Sequence, residues 1–236
     1  MQPRYPLPWR LALEVLWSVA RQKKRSFGQD ATRALALLRF PIRVEGRENI
    51  PSGGPAVVVT NHYSRPAFGR PGFGAWWIAL AISAQVPVEM HWSMTAAWTG
   101  ESHLTSWVLS EISRRLFPRI AEVYSFTAMP PMPPRPFEQA DRAQAVRQML
   151  AAAKAQPPPV FGISPEGQDN PGGVLMRLSQ VWGVSFTTWH AWAIPFTRQG
   201  CTKRRGRYAL ALALRSTWEC SPVLLKMSSI DAPARW

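Results

Sequence analysis

Two short polar groups, each directly after an apolar run, are the strongest candidates for chemistry in this sequence. Asn61-His62 follows the β-branched run 56–60, and Ser164-Pro165-Glu166-Gly167 follows the apolar run 157–163. Imidazole titrates near neutral pH, so His62 is suited to remove a proton as a general base. Taken alone, each group is more often structural, because strand-end histidines commonly have packing roles and Pro-Glu-Gly is common in turns. Their chemistry therefore depends on whether the fold brings them together.

The pattern of apolar runs predicts an α/β fold, in which a mixed, mostly parallel sheet is flanked by helices. The run 56–60 is continuous and β-branched, as in strands that are buried on both faces. Ligands bind beyond the carboxyl ends of such strands, so we expect His62 and Glu166 to face one cleft at one end of the sheet. Further strands are predicted at 86–92 and 157–163, a short extended segment at 119–126, and helices at 29–38, 75–84, 105–116 and 138–154.

Length and composition indicate one α/β domain with additions at both ends. The chain has 236 residues, of which 46% are hydrophobic and 18% charged, which is enough apolar material for a core. We divide it into N-terminal membrane-associating helices (1–39), the α/β domain (40–181) and a basic tail (182–236). No apolar run approaches the roughly 20 residues that cross a bilayer, and no cleavable signal pattern opens the sequence. The two cysteines, Cys201 and Cys220, have neither zinc-ligand nor redox spacing, which indicates a reducing compartment and no metal site.

The first helix, predicted at 7–20, is apolar, carries Trp9 and Trp17, and runs into a basic segment at 21–25. It is too short to span a membrane but is suited to lie in the headgroup layer. The alternative is a helix that packs on its own domain and leaves a solvated basic end.

The net charge of +14 predicts a polyanionic partner: an anionic membrane, a phosphorylated substrate or a nucleic acid. No helix-turn-helix, zinc or RNA-binding motif accompanies the charge, so we expect no nucleic-acid partner.

The order of the two polar groups, about one hundred residues apart, resembles the glycerolipid acyltransferase family that includes 1-acylglycerol-3-phosphate acyltransferases. The resemblance covers roughly residues 40–180 and begins at Val44-Glu45-Gly46-Arg47-Glu48-Asn49-Ile50-Pro51, which is similar to the family's entry to its first catalytic strand. Asn61-His62 matches the first motif and Ser164-Pro165-Glu166-Gly167 the third. Arg119 is a loose counterpart of the arginine that binds phosphate in that family.

The resemblance implies transfer of a fatty acyl group from acyl-CoA or acyl-carrier protein to a glycerol-3-phosphate or lysophospholipid acceptor. The protein would be peripheral, on the cytoplasmic face of a membrane, and would need no metal or bound organic cofactor. His62 would be the general base, Glu166 would bind acceptor oxygens, and backbone N–H groups near Gly167 would face the developing oxyanion. The substrate-binding residues would also include Asn61, Arg65, Arg119 and Pro165, with Arg135 a further candidate for the acceptor phosphate.

The sequence departs from the family at the carboxylate that orients the catalytic imidazole. An aspartate normally stands five positions after the histidine, where this chain has Ala67, and no acid occurs from 61 to 88. Losing such a carboxylate costs about 10⁴-fold in the serine-protease triad. Glu89 and Asp169 are candidates for this carboxylate, on the ground of reach alone. The alternative function is that of a catalytically silent lipid-binding or membrane-peripheral relative.

The basic tail lacks the amphipathic helix and the proline-ended strand that the resemblance implies after Gly167. Read one base out of frame, however, 183–192 can encode Arg-Phe-Leu-His-His-Leu-Ala-Arg-Leu, which is similar to the missing helix. We therefore predict a one-base displacement of the reading frame between about 175 and 181. A displaced frame keeps no selected apolar pattern, so we expect 182–236 not to complete the sheet.

Overall fold

The computed structural model describes residues 7–38, 43–45, 49–60, 73–98, 105–131, 138–164, 209–215 and 220–226. These residues form helices α1 (Trp9–Ala20), α2 (Phe27–Ala36), α3 (Phe73–Ser83), α4 (Thr105–Tyr124) and α5 (Gln139–Ala153). The strands are β1 (Arg43–Glu45), β2 (Ala56–Thr60), β3 (Met90–Thr95), β4 (Thr127–Met129), β5 (Val160–Ile163), β6 (Ala209–Arg215) and β7 (Cys220–Lys226).

The strands form one sheet in the order β1-β7-β6-β2-β5-β3-β4. β2, β5, β3 and β4 pair in parallel, whereas β6, β7 and β1 continue the sheet from β2 in antiparallel pairs. The predicted α/β class is therefore confirmed, whereas the sheet has as many antiparallel strand pairs as parallel ones. β2 lies inside the sheet, with β5 on one side and β6 on the other, which explains its continuous apolar sequence.

Side chains alternate between two apolar layers, one on each face of the sheet. Ala56 and Val58 of β2 join the layer of α3, whose Trp77 and Ile78 are fully buried, and buried residues of α1 and α2 extend this layer. Val57 faces the opposite layer, where Met149 of α5 packs. A strand between two helical layers holds its carboxyl end in a fixed position, which the candidate site requires.

One glycine is required where β5 passes the α3 layer. A Cβ on Gly162 would overlap the ring of Trp92 in β3. That ring is 4% exposed, and its Nε1–H donates to Ser83 Oγ at 2.9 Å. The fixed indole therefore leaves no space for a side chain at position 162.

Helix α4 is longer than the sequence predicts. The sequence predicts a helix over 105–116 only, and proline disfavours the helical conformation in the residue before it. Instead Pro118 lies inside α4, which continues to Tyr124, so the extended segment predicted at 119–126 is wrong, and the next strand, β4, begins only at Thr127. Burial of Ala121 and Val123 favours the longer helix, since tertiary packing outweighs the one backbone hydrogen bond that proline removes.

The expectation that 182–236 contributes no sheet strand is wrong for β6 and β7. β6 pairs with β2 from Ala56↔Arg215 to Thr60↔Ala211, and β7 joins β6 to β1. The sequence Ala-Leu-Ala-Leu-Ala-Leu in β6 alternates with the period of a strand, and this local pattern accounts for the pairing. The remaining tail residues lie outside the described ranges, so the predicted displacement of the frame stays a prediction.

Across the described part of the chain, every helix is too short or too polar to cross a bilayer.

Candidate active site

The carboxyl ends of β2 and β5 lie side by side. Their parallel register pairs Val59 with Ile163. One residue further, the hydroxyl oxygens of Thr60 and Ser164 are 2.6 Å apart, and Thr60 Oγ1 also lies 3.5 Å from the Ile163 carbonyl oxygen. Thr60 is buried, so this hydroxyl pair has little competition from water. The pair joins the two strand ends from which the candidate motifs continue.

His62 and Glu166 each come two residues after this hydroxyl pair in the sequence. Both lie outside the described residues, as do Asn61, Arg65, Arg135, Pro165, Gly167 and Asp169. The parallel pairing of β2 and β5 means that the chain continues into the two motifs from one edge of one sheet. That the two side chains face a common cleft stays a prediction.

Glu89, a candidate to replace the missing orienting aspartate, lies at the end of the sheet opposite to the carboxyl ends of β2 and β5. It precedes β3 at the amino edge of the sheet, because Met90 pairs with Val160, the first residue of β5. A strand rises about 3.3 Å per residue, so the opposite edge at Thr60 is about 13 Å away along β2. Its carboxylate caps α2 instead: it accepts the backbone N–H groups of Phe27 at 3.2 Å and Gly28 at 3.4 Å, and the hydroxyl of Ser26. Of the two acids named as candidates to orient His62, Glu89 is thus engaged at the amino edge, whereas Asp169 lies outside the described residues.

Arg119 lies on the exposed surface of α4 rather than on an extended segment. It precedes Tyr124 by five residues, about 8 Å along the helix axis. The Tyr124 hydroxyl donates to the carboxylate of Asp30 in α2 at 2.8 Å, and the backbone N–H of Arg25 donates to the Val123 carbonyl oxygen at 3.0 Å. Arg119 thus belongs to the half of α4 whose end contacts the N-terminal helices.

Arg142, in the first turn of α5, is a candidate that sequence analysis missed. It precedes Ala145 and Met149 on the helix stripe that packs against Phe161 and Ile163. Ile163 ends β5, and α5 begins after the carboxyl end of β4, so Arg142 lies toward the carboxyl edge of the sheet. Its Nη1 is buried without a hydrogen-bond partner, and burial lowers the pKa of this guanidinium. A buried donor without an acceptor is a ready site for an anionic oxygen.

His91 is a partly buried histidine of β3 whose contacts lie within the sheet. Its Nε2 lies 2.8 Å from Thr127 Oγ1, and its ring meets Phe161 edge-on at 5.1 Å between centroids. Burial lowers the pKa of this imidazole, which favours its neutral form. Its contacts explain its place in β3 without a catalytic role.

A polar cluster joins α1, α2 and α4 away from the strand ends. Asp30 is buried and accepts Nε and Nη2 of Arg25, each at 2.7 Å. Glu14 accepts Nη1 and Nη2 of Arg33, also at 2.7 Å each. Hydrogen bonds from Arg33, and then from Arg25, lower the pKa of Glu14 to about 2. Burial raises the pKa of Tyr124, and its hydrogen bond to Asp30 adds to this effect. These pairs hold the N-terminal helices against the domain.

Among the described residues, no group of three or more His, Cys, Asp and Glu side chains is arranged to hold a metal ion. Comparison of the chain with protein-family models, with curated proteins and with solved structures finds no match.

Proposed function

We propose that the protein is an acyltransferase that moves a fatty acyl group from acyl-CoA or acyl-carrier protein to a glycerol-3-phosphate or 1-acylglycerol-3-phosphate type acceptor. The observation that carries the proposal is the parallel pairing of β2 and β5 with joined carboxyl ends, each followed by one of the two candidate motifs. In open α/β sheets this edge is where ligand chemistry is built.

In the proposed reaction His62 accepts the proton of the acceptor hydroxyl. The hydroxyl oxygen attacks the thioester carbonyl carbon, the C–S bond breaks, and the thiol leaves with the proton. A general base of this kind contributes about 10²–10⁴-fold to the rate. Glu166 binds acceptor oxygens, and backbone N–H groups near Gly167 stabilise the charge on the carbonyl oxygen. No metal or organic cofactor takes part.

We assign the acceptor phosphate to Arg142 in addition to Arg65 and Arg119. The support for Arg142 is its buried Nη1 without a partner at the carboxyl side of the α5 layer. A phosphate oxygen would supply the missing acceptor, and a guanidinium fork matches phosphate geometry. Asn61 and Pro165 complete the proposed substrate-binding residues.

The proposed location is a membrane surface at the cytoplasmic face. Trp9, Leu13, Leu16 and Trp17 of α1 are each more than 40% exposed, whereas Leu11 of the same helix is buried in the core. The exposed four recur at helical spacing and form one apolar stripe, which suits docking in the headgroup layer. Deleting α1 would also remove Leu11, so substitution within the stripe is the sharper test.

The second candidate function is a catalytically silent lipid-binding relative. It is favoured by Ala67, which stands where the family has its orienting aspartate, and by the position of Glu89 at the edge of the sheet opposite to the end of β2. It shares the membrane docking of α1 but predicts no thioester cleavage.

The experiment that separates the two functions measures thiol release from acyl-CoA and acyl-carrier protein on a membrane fraction. Glycerol 3-phosphate and its 1-acyl derivative are compared as acceptors, for the natural chain and for His62→Ala. Acceptor-dependent release that His62→Ala abolishes supports the acyltransferase. Membrane binding without any release supports the silent relative.

A further inference from the structure

A basic cavity of about 430 Å³ lies between α1, α2 and the segment that joins them. Its lining includes five basic and two acidic side chains, a net charge of +3. The acids are Glu14 and Asp30, and the basic residues are Arg21, Lys23, Lys24, Arg25 and Arg33. The excess of positive charge favours an anionic ligand.

Three of the five cations donate hydrogen bonds to oxygen atoms of the protein. Arg25 and Arg33 are engaged by Asp30 and Glu14, and Lys24 Nζ donates to the Glu122 carbonyl oxygen at 2.5 Å. The side chains of Arg21 and Lys23, by contrast, make no ion pair with any residue that the structure describes. These two cations are therefore the ones available to a ligand.

The cavity adjoins the apolar stripe of α1 formed by Trp9, Leu13, Leu16 and Trp17. Trp17 belongs to both surfaces: it lines the cavity, and its side chain is exposed like the rest of the stripe. The Arg21 guanidinium lies over the Trp17 ring, 4.3 Å from its centroid. An aromatic ring between an apolar stripe and a cation is the arrangement expected where acyl chains meet headgroups.

We propose that this cavity binds the phosphate of an anionic membrane phospholipid, with Arg21 and Lys23 as its ligands and the α1 stripe in contact with the lipid chains. The guanidinium of Arg21 can pair with two phosphate oxygens, and Lys23 adds a mobile point charge. The inference rests on the proposed docking of α1 and is independent of acyl transfer.

A lipid fits this surface better than a nucleic acid does. The cations lie beside exposed leucines, Leu13 and Leu16, which would remain in water on a nucleic acid but are covered in a bilayer. Surfaces that bind single-stranded nucleic acids combine cations with aromatic side chains on which bases stack. Exposed leucines beside the cations do not contribute to such stacking.

The test measures partitioning of the full chain onto phosphatidylcholine vesicles made with or without a one-third share of phosphatidylglycerol. The test variant is Arg21→Gln/Lys23→Gln. The control, Arg147→Gln/Lys154→Gln, removes the same charge from exposed positions on α5 and at its C-cap, across the sheet. A basic residue near an anionic surface changes partitioning by about fivefold, so the test variant should bind anionic vesicles about 25-fold more weakly. The control should bind like the natural chain.

Equal loss in the two variants, or no loss in the test variant, would overturn the phosphate site while leaving α1 docking intact. A natural chain that binds neither kind of vesicle would overturn both. Inorganic phosphate, glycerol 3-phosphate and a duplex oligonucleotide serve as competitors in solution. Tight binding of any of them through Arg21 and Lys23, without a preference for anionic vesicles, would also contradict the proposal.

Discussion

Substituting Gly162 by alanine tests whether the packing around β5 holds the strand end where the candidate site requires it. The added Cβ would overlap the Trp92 ring, which is buried and fixed by its hydrogen bond to Ser83. Overpacking a core lowers the free energy of unfolding by about 1–3 kcal/mol. Replacing glycine by alanine also restricts the unfolded chain, which raises the free energy of unfolding by about 0.4–1 kcal/mol. Because the indole cannot move aside without losing its partner, we expect a net loss of about 2 kcal/mol in the free energy of unfolding.

Gly53→Ala is the matched control, since a Cβ there would meet no heavy atom within 4 Å. Urea unfolding followed by tryptophan fluorescence compares the two variants. With a slope of about 2 kcal/mol per molar urea, Gly162→Ala should lower the midpoint by about 1 M, and Gly53→Ala should leave it unchanged or slightly raised. Equal midpoints for the two variants would refute the packing argument.

Three further substitutions and one resequencing test other parts of the account. Asp30→Ala leaves Arg25 without its buried partner and should cost about 3 kcal/mol in urea unfolding; a loss under 1 kcal/mol would contradict a buried pair. Glu14 has a pKa of about 2, below its ordinary 4.5, so its stabilisation is present above pH 4.5 and lost toward pH 2. Glu14→Gln should therefore unfold with a shallower pH dependence across that window, and identical profiles would contradict the ion pair. Arg142→Gln should raise KM for a phosphate acceptor about 10-fold or more while KM for the thioester stays unchanged; a rise in both would indicate a structural role. Resequencing codons 175–181 should reveal the one-base displacement, which an intact frame would contradict.

The sequence predicted the elements whose signals are local. β2 matches its prediction from Ala56 to Thr60, and α1 and α5 match theirs to within about two residues at each end. A continuous β-branched run favours a strand and a long alanine-rich segment favours a helix, whatever the rest of the chain does. The division into helices and strands therefore gave the α/β class.

The missed features depend on contacts between distant segments. α4 continues past Pro118 because Ala121 and Val123 find a buried surface, which no local signal contains. Glu89 caps α2, about sixty residues earlier in the chain, and only the strand register reveals that it stands at the amino edge of the sheet, opposite to the end of β2. Arg142 could have been found from the sequence, because it stands at helical spacing from Ala145 and Met149, on the face of α5 where apolar residues are expected.

The two strands of the tail were missed although one of them, β6, has a local signal. Its lack of a family pattern led to the expectation of no strands, yet the alternating leucines of β6 were a local strand signal. Strand pairing needs only backbone groups and a period of two, so such a segment can add to the open side of β2 without any further motif.

The most direct test of the proposed function is acceptor-dependent thiol release by the natural chain and by His62→Ala under identical conditions. The proposal predicts release with a phosphate-bearing glycerol acceptor, and a loss of about 10²-fold or more in His62→Ala with an unchanged urea midpoint. Equal release by the two proteins, at equal stability, would contradict the assignment of His62 as the general base and with it the proposed reaction at the ends of β2 and β5.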